Sequence, residues 1–291
     1  MKIATSAYPI SWLDSWDDYV QKLSSWVKDA RDHGAQLLVF PEYAAMELAS
    51  LDGPESAGDR VASMKSVASY FSGFTKLHQQ LAKHYGVYIL SGSAPIQDQG
   101  ALVNRCGLFT PDGSIGWQDK QIMTRFERDD WKVSGGDGLQ VFETALGRIG
   151  ILICYDSEFP LLGRALSKVD VLLVPSCTEA LSGYWRVRIG SMARALENQC
   201  AVVMSSLLSK DDRFYGVDEA TGAGGVFCPP DKGFPESGVL ALGTIGDAGW
   251  TYATIDTAQI AEVRKDGAVL NRKHWSEQIP RAMTPPSLKL T

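Results

Sequence analysis

Ile149-Gly150-Ile151-Leu152-Ile153-Cys154-Tyr155-Asp156-Ser157-Glu158-Phe159-Pro160 passes from an almost wholly apolar run into a polar cluster. An uncharged run of this length reads as a strand buried on both faces, and the acidic and hydroxyl residues after it are those that open helices. Cys154 therefore falls at a sharp strand-to-helix turn, the geometry of a nucleophile elbow. A helix N-terminus and a nearby lysine would favour the thiolate there. The competing reading is a buried structural cysteine, which is how Cys106, Cys200 and Cys228 read.

Outward from this stretch the alternation of strand and helix continues. Leu139–Glu143 and Arg148–Cys154 flank Ala145-Leu146-Gly147 and read as a hairpin. Glu158–Lys168 reads as a helix, Val169–Val174 as a strand stopped by Pro175, and Cys200–Ser206 as the next strand. Tyr184–Gln199 carries Trp185, Ile189, Met192 and Leu196 at spacings of 4, 3 and 4, a helical stripe. Upstream, Lys2–Ala7 and Gln36–Phe40 are strands around a helix at Ser15–His33, with Ser15 as its cap and Gly34 just past its end. Arg60–Tyr85 is a long helix stopped by Gly86, and Val87–Gly92 is the strand after it. Val103–Thr110 and Ile115–Asp119 flank Pro111-Asp112-Gly113-Ser114, a turn signature, and form a second hairpin. Gly238–Ile245 and Trp250–Ile255 are late strands, Thr257–Arg264 is a short helix, and the proline-rich tail from Pro280 is expected to be extended or mobile. Hairpins mixed with βα units in one unbroken chain argue for an α/β or α+β domain with mixed sheets and helices outside. Periodicity leaves the number of sheets open.

Composition excludes several classes. Of 291 residues, 45% are hydrophobic and 21% charged, which is a folded chain with a sizeable core. Lys plus Arg number 28 against 34 Asp plus Glu, a net charge of −6, and no basic block stands out, so nucleic acid is not an expected partner. No stretch approaches the roughly 20 apolar residues of a membrane span, and Met1–Pro9 holds no signal-peptide core. Five cysteines without a C-x-x-C pair point to thiols in a reducing, cytoplasmic compartment. Four scattered histidines without H-E-x-x-H leave no expected zinc site or other metal site.

Two more segments place polar residues just beyond a strand. Leu37-Leu38-Val39-Phe40-Pro41-Glu42-Tyr43 puts an acid at a sheet's carboxyl edge, where α/β proteins build sites; the competing reading is a capping or surface glutamate. Gly116-Trp117-Gln118-Asp119-Lys120 ends a hairpin strand on a lysine, and Glu127 can return to it across a loop; a lysine there is otherwise solvated. Glu, Lys and Cys follow in that order, 78 and then 34 residues apart.

With these three segments the sequence resembles the nitrilase superfamily of carbon–nitrogen hydrolases, from Ile3 to about Ile255. Val39-Phe40-Pro41-Glu42 is similar to the family's glutamate motif, Asp119-Lys120 to its lysine motif, and Ile153-Cys154-Tyr155-Asp156 to its cysteine motif. Arg194-Ala195-Leu196-Glu197-Asn198 is similar to the family's R-A-x-E-N segment. Many nitrilases read Cys-Trp-Glu, so Cys154-Tyr155-Asp156 is amidase-like, whereas Lys120 through Arg128 resembles the lysine region of nitrilases. Cys154–Pro160 and Gly183–Arg188 look like a branch in which some members carry an extra acetyltransferase-like domain, for which this chain has no room.

The resemblance implies an α/β fold, a four-layer α-β-β-α sandwich, as a single domain over residues 1–279 with a C-terminal extension at 280–291. It implies a homodimer or larger homo-oligomer, and a small-molecule substrate without cofactor. Cys154 would be the nucleophile and form a thioester, with Glu42 as general base. Lys120 and the Tyr155 N–H would meet the oxyanion, and Glu127 would hold the lysine or position substrate, with Glu143 and Glu158 as competitors for that role. The expected activity is cleavage of a non-peptide amide or N-carbamoyl amine. The alternatives are a nitrilase releasing acid and ammonia from a nitrile, and a non-catalytic regulatory member of the fold. A papain-like protease is disfavoured because no C-G-S-C-W segment is present. Cys177, Thr178 and Glu179 follow another strand end and are candidates for the substrate pocket, as are Tyr155 and Glu158. Several amidase branches carry arginine where this chain has Glu158, so a pocket-facing Glu158 would favour cationic or neutral substrates. Its competing roles are a helix's first turn or a pair with Arg186 or Arg188. Tyr184 and Trp185 read as core or as pocket lining.

Overall fold

Short apolar runs that stop at Gly, Pro or Asp form the strands of the computed structural model, which describes residues 1–282 and 284–290. The first half runs β1 (Lys2–Pro9), α1 (Trp16–Asp32), β2 (Leu37–Phe40), a 3-10 helix over Ala44–Asp52, α2 (Pro54–Ala57), α3 (Arg60–Tyr85), β3 (Tyr88–Asp98), β4 (Ala101–Phe109) and β5 (Ile115–Asp119). After a π turn at Glu127–Trp131 come β6 (Val141–Thr144), β7 (Gly147–Ile151), a 3-10 turn at Cys154–Glu158, α4 (Pro160–Ala165), β8 (Val171–Ser176) and α5 (Leu181–Asn198). The chain closes with β9 (Ala201–Lys210), β10 (Glu219–Ala220), β11 (Gly225–Phe227), β12 (Val239–Leu242), β13 (Gly249–Thr254), α6 (Thr257–Asp266), α7 (Asn271–His274) and a 3-10 helix at Trp275–Arg281.

Two sheets of the same design face each other. In the first, β1, β2 and β3 are parallel, with β4, β5 and β13 added antiparallel. In the second, β7, β8 and β9 are parallel, with β6, β11 and β12 added antiparallel. The end of β9 leaves the second sheet, and Ser206–Leu208 pair with Ala7–Pro9 of β1, so the two sheets join into one nearly closed ladder.

The period of two in the strands sorts the first sheet's side chains into two layers. Ala4, Leu38, Phe40, Ile89 and Phe109 pack with Tyr19, Leu23, Phe74 and Leu77 of α1 and α3. Ile3, Leu37, Val39, Leu90 and Leu108 turn the other way and share a core with the apolar residues of β7, β8 and β9, and with Tyr184 and Val187 of α5. The result is the four-layer α-β-β-α arrangement. The helix ends follow local chemistry. Ser15 accepts the Asp18 N–H at the start of α1, and Asp59 accepts the Val61 and Ala62 N–H groups at the start of α3. Gly86 stops α3 at φ 65.

Three expectations change, and the facing of the α5 stripe, which spacing left open, is decided. β8 runs through Pro175 instead of stopping there, pairing Pro175 with Ser205. Its partner on the other side, β7, has ended at Ile151, so the missing proline N–H sits at an open edge. The helix expected over Glu158–Lys168 is only α4, because Pro160 cannot continue the preceding turn and instead takes the first helical position. The stripe Trp185, Ile189 and Leu196 lies on the outer face of α5 and is exposed, while Tyr184, Val187, Ser191 and Ala195 make the buried face. Finally, Pro280 lies within the last 3-10 helix; residues 284–290 have no regular secondary structure, and Met283 and Thr291, part of the expected tail, lie outside the described residues.

Candidate active site

β2 delivers Glu42 one residue beyond Pro41, and a bulge in β3 makes room for it. Gly92 at the bulge has φ 76, and a Cβ there would meet the Pro41 carbonyl oxygen at 2.3 Å. Only glycine allows this approach. Ser93 then grips the turn on both sides: its N–H donates to the Pro41 carbonyl at 3.3 Å, and its Oγ accepts the Tyr43 N–H at 2.9 Å. β5 delivers Lys120, whose own N–H donates to the Asn104 carbonyl of β4 at 2.9 Å. The π turn brings Glu127 back, as the spacing suggested.

These groups form a buried hydrogen-bonded network. Lys120 Nζ donates to Glu42 Oε1 at 2.7 Å and to Glu127 Oε2 at 2.6 Å. Asn104 Nδ2 reaches both carboxylates, at 3.0 Å to Glu42 Oε1 and 3.3 Å to Glu127 Oε1. Glu127 also accepts the Tyr43 hydroxyl at 2.7 Å and the Thr124 N–H and hydroxyl, both at 2.9 Å. Glu42 Oε2 accepts the Cys177 N–H at 3.0 Å, across to the second sheet. Glu143, the competitor for the role of Glu127, lies exposed on β6.

Cys154 stands at φ 50, a left-handed conformation that a non-glycine residue holds only when its surroundings enforce it. Its thiol points at the Cys177 carbonyl oxygen, 3.6 Å away. The segment after it is a 3-10 turn tied by Ser157 Oγ to the Cys154 carbonyl at 2.6 Å. Asp156 is buried in this turn and accepts the N–H of Ile153. It also accepts those of Gln121 and Ile122 from the lysine segment.

Burial and charge set the protonation of the site. Burial pushes Glu42 up to about 7; the ammonium of Lys120 works against this and the carboxylate of Glu127 adds to it. Burial lowers Lys120, but the two carboxylates outweigh it and hold the ammonium well above its usual range. Burial raises Glu127, yet Lys120 and its hydrogen bonds bring it below the ordinary carboxylate value. The thiolate expected at Cys154 is not favoured. Burial, and then the Glu42 carboxylate, raise the thiol well above its usual value, and Lys120 offsets only part of this. The thiol therefore rests protonated beside a carboxylate able to take its proton. Asp156 is pushed up to about 6 by burial, against its main-chain hydrogen bonds.

A cavity of about 640 Å³ opens over this floor and is lined by Glu42, Lys120, Glu127 and Cys154 together. All five expected pocket residues, Tyr155, Glu158, Cys177, Thr178 and Glu179, line it as well. Glu158 both faces the cavity and pairs with Arg186, Nε to Oε1 at 3.4 Å, so its two readings coexist. Tyr184 is core and Trp185 is exposed; from α5 it is Ser182, Gly183, Arg186 and Val187 that reach the cavity. Sequence reasoning missed Tyr43, Asn104, Thr124, Trp131 and the wall from Asp212 to Glu219. Asn104 left only a weak signal, an amide next to Arg105 in a strand that is otherwise mostly apolar; the wall left none. Among the described residues no group of three or more His, Cys, Asp or Glu side chains is arranged to hold a metal ion, and no helix is long and apolar enough to cross a membrane.

Known proteins share this arrangement of chain. The probable hydrolase YhcX of Bacillus subtilis is 30% identical over 275 residues, 94% of this chain and 53% of that protein. The omega-amidase NIT2 of Xenopus tropicalis is 30% identical over 191 residues, 62% of this chain and 65% of that protein. The chain thus spans about half the length of the first relative and just under two thirds of the second. The NitFhit protein of C. elegans superposes with a TM-score of 0.74 at 17% identity, covering 97% of this chain and 66% of that one. An amidase from Nesterenkonia sp. AN1, solved with acrylamide added at its active-site cysteine, superposes with a TM-score of 0.65 at 18% identity, covering 94% and 99%. These structures share the fold. The carbon–nitrogen hydrolase family model matches residues 2–216, which takes in Glu42, Lys120, Glu127 and Cys154 and everything between them, and on that match the chain belongs to the carbon–nitrogen hydrolase family.

Proposed function

We propose that the chain hydrolyses a non-peptide amide or an N-carbamoyl amine through a thioester on Cys154. The observation that carries this reading is the buried Glu42–Lys120–Glu127 network lying on the floor of the same cavity as Cys154. An amide has a poor leaving group, and a covalent intermediate divides its hydrolysis into two easier steps. Glu42, ionising near neutrality, takes the Cys154 proton as sulfur attacks the carbonyl carbon. The tetrahedral oxyanion forms against Lys120 Nζ and the Tyr155 N–H. Glu42 then protonates the departing nitrogen, the C–N bond breaks and the thioester remains. Water enters, gives a proton to Glu42 and attacks the thioester; the acid leaves and the thiol is restored. Glu127 keeps Lys120 charged and aimed through both steps. The adduct on the Nesterenkonia amidase supports a reactive cysteine on this fold.

The mouth of the cavity suggests the substrate's charge. Glu158, Glu179, Asp212, Asp218 and Glu219 line it against Arg186. A cationic or neutral amide fits this wall better than one bearing a free carboxylate, and Cys177 and Thr178 form the wall nearest the thiol. The exposed Trp185, Ile189 and Leu196 on α5, with Leu181 near its start, support a homodimer through this face, since an isologous contact uses one apolar patch twice. Sedimentation at micromolar concentration should show a species of twice 31.7 kDa, and Ile189→Glu should halve it. A wild type that sediments only as a monomer ends that reading.

Ammonia release from a panel of amides, N-carbamoyl amines and nitriles, with Cys154→Ala as blank, tests the activity. Turnover of amides or carbamoyl compounds is expected. Turnover of nitriles alone would replace the amidase reading with the nitrilase one.

A further inference from the structure

Asp156 does not line the cavity, yet its buried carboxylate joins the two segments that carry the lysine and the cysteine. Oδ2 accepts the N–H of Ile153, the residue before Cys154, at 3.3 Å. Oδ1 accepts the N–H of Ile122 at 2.8 Å, and both oxygens lie near the N–H of Gln121, the residue after Lys120, at 3.2 and 3.1 Å. The lysine segment leaves β5 and the cysteine segment leaves β7, so the two come from different sheets.

No direct contact between the two groups fixes this distance. Lys120 Nζ is held by Glu42 and Glu127, and Cys154 Sγ points at the Cys177 carbonyl. Among the described residues no hydrogen bond joins the ammonium to the thiol. Gln121 and Ile122 lie in neither helix nor strand, so their N–H groups have no ladder to hold them. A single carboxylate that takes three main-chain donors therefore fixes the lysine segment to the strained turn at Cys154.

The geometry points to Asp156 as a positioning residue that sets Lys120 relative to Cys154, so that the ammonium meets the charge developing during attack. This rests on the reading of Cys154 as nucleophile. Displacement of a reacting group by about 1 Å costs on the order of 10²-fold in rate. Asp156→Asn keeps the side chain's size but replaces one acceptor oxygen by a donor that faces main-chain N–H groups.

The test compares wild type with Asp156→Asn well below the variant's melting temperature, per folded molecule. The expected result is a kcat lower by about 10²-fold with KM changed less than about threefold. Cys154 alkylation by iodoacetamide, followed by mass mapping, should slow in parallel. A purely structural Asp156 would lower the melting temperature and leave both rates alone; kcat and alkylation within about twofold of wild type overturn the proposal. If Asp156→Asn does not fold, Asp156→Glu decides. It keeps the charge and both acceptors but lengthens the arm, and is expected to lower kcat at similar KM; unchanged kcat there also overturns the proposal. Alkylation needs no amide substrate. A wild-type Cys154 no more reactive than the other four thiols would therefore sink the nucleophile reading, while equal reactivity of wild type and variant would sink only the positioning role.

Discussion

At the floor of the cavity Glu42 and Glu127 are 1% and 3% exposed, and their oxygens accept from Lys120, Asn104, Tyr43, Thr124 and Cys177. At the mouth Glu179, Asp212, Asp218 and Glu219 are exposed to water, and the ion pair there is Glu158 with Arg186. The same functional group behaves differently in the two places. In the dry floor each charge shifts its neighbours' ionisation, so no residue there acts alone. At the mouth water and salt screen each carboxylate, so each adds a modest attraction to whatever cation passes. On the proposed reading the floor carries the chemistry and the mouth the selection.

The largest expected effects break the floor. Cys154→Ala should remove turnover by at least about 10³-fold, while Cys106→Ala and Cys228→Ala keep most of it; similar losses at all three positions would show that Cys154 is not special. Lys120→Met should cost about 10²–10³-fold in kcat, the usual loss for one oxyanion partner. It also removes the positive charge that lowers Glu42, so the acid limb of the pH profile should move upward.

A subtler change sharpens the coupling within the floor. Glu42 must be ionised to take the thiol proton, so kcat/KM should fall about tenfold per unit as pH drops below about 7. Glu127→Gln removes a negative neighbour that raises Glu42, so ionisation becomes easier and the acid limb should move to lower pH. A pH–rate profile that moves upward instead would mean that the loosened Lys120 dominates, and the coupling drawn here would be wrong.

The smallest effects belong to the mouth. Asp212→Asn or Asp218→Asn should each reduce kcat/KM for an ammonium-bearing amide by no more than about fivefold, as about 1 kcal/mol for charges a few ångströms apart in water implies. The difference should vanish in high salt and be absent for a neutral amide of equal length. Glu158→Arg, which leaves Arg186 facing a like charge, should improve carboxylate-bearing amides by up to about tenfold. If the wild type already prefers carboxylate-bearing amides, the charge reading of the mouth fails.

The floor was far more legible in the sequence than the mouth. Glu42 and Cys154 each follow a strand whose apolar pattern is plain, Lys120 ends a hairpin strand marked by its turn, and Glu127 follows Lys120 at the distance one loop spans. Asn104 was harder to see, because Arg105 beside it makes the pair read as the polar face of a hairpin strand. Asp212, Asp218 and Glu219 could not be seen, since two acids in a loop and one opening the short strand after it read as an ordinary solvated surface until they are placed over the cavity. The α5 stripe shows a limit of another kind. Trp185, Ile189 and Leu196 have helical spacing, but spacing cannot tell an inward face from an outward one, and the buried face turned out to be Tyr184, Val187 and Ala195.

Local pattern by itself determined most of the longer strands and helices, and the order and strand-end positions of Glu42, Lys120 and Cys154, because periodicity, caps and turn residues act over a few positions. Tertiary structure alone decided the ionisation of the site. From sequence, a helix start and a lysine argued for a thiolate at Cys154; in the fold, burial and Glu42 keep the thiol protonated and bring Glu42 near neutrality. Only the fold brings Asp156 of one sheet's turn under the lysine segment of the other. Desolvation and through-space charge depend on what surrounds a group in three dimensions, and residues 34 and 78 positions apart along the chain say nothing of that until the two sheets close over one another.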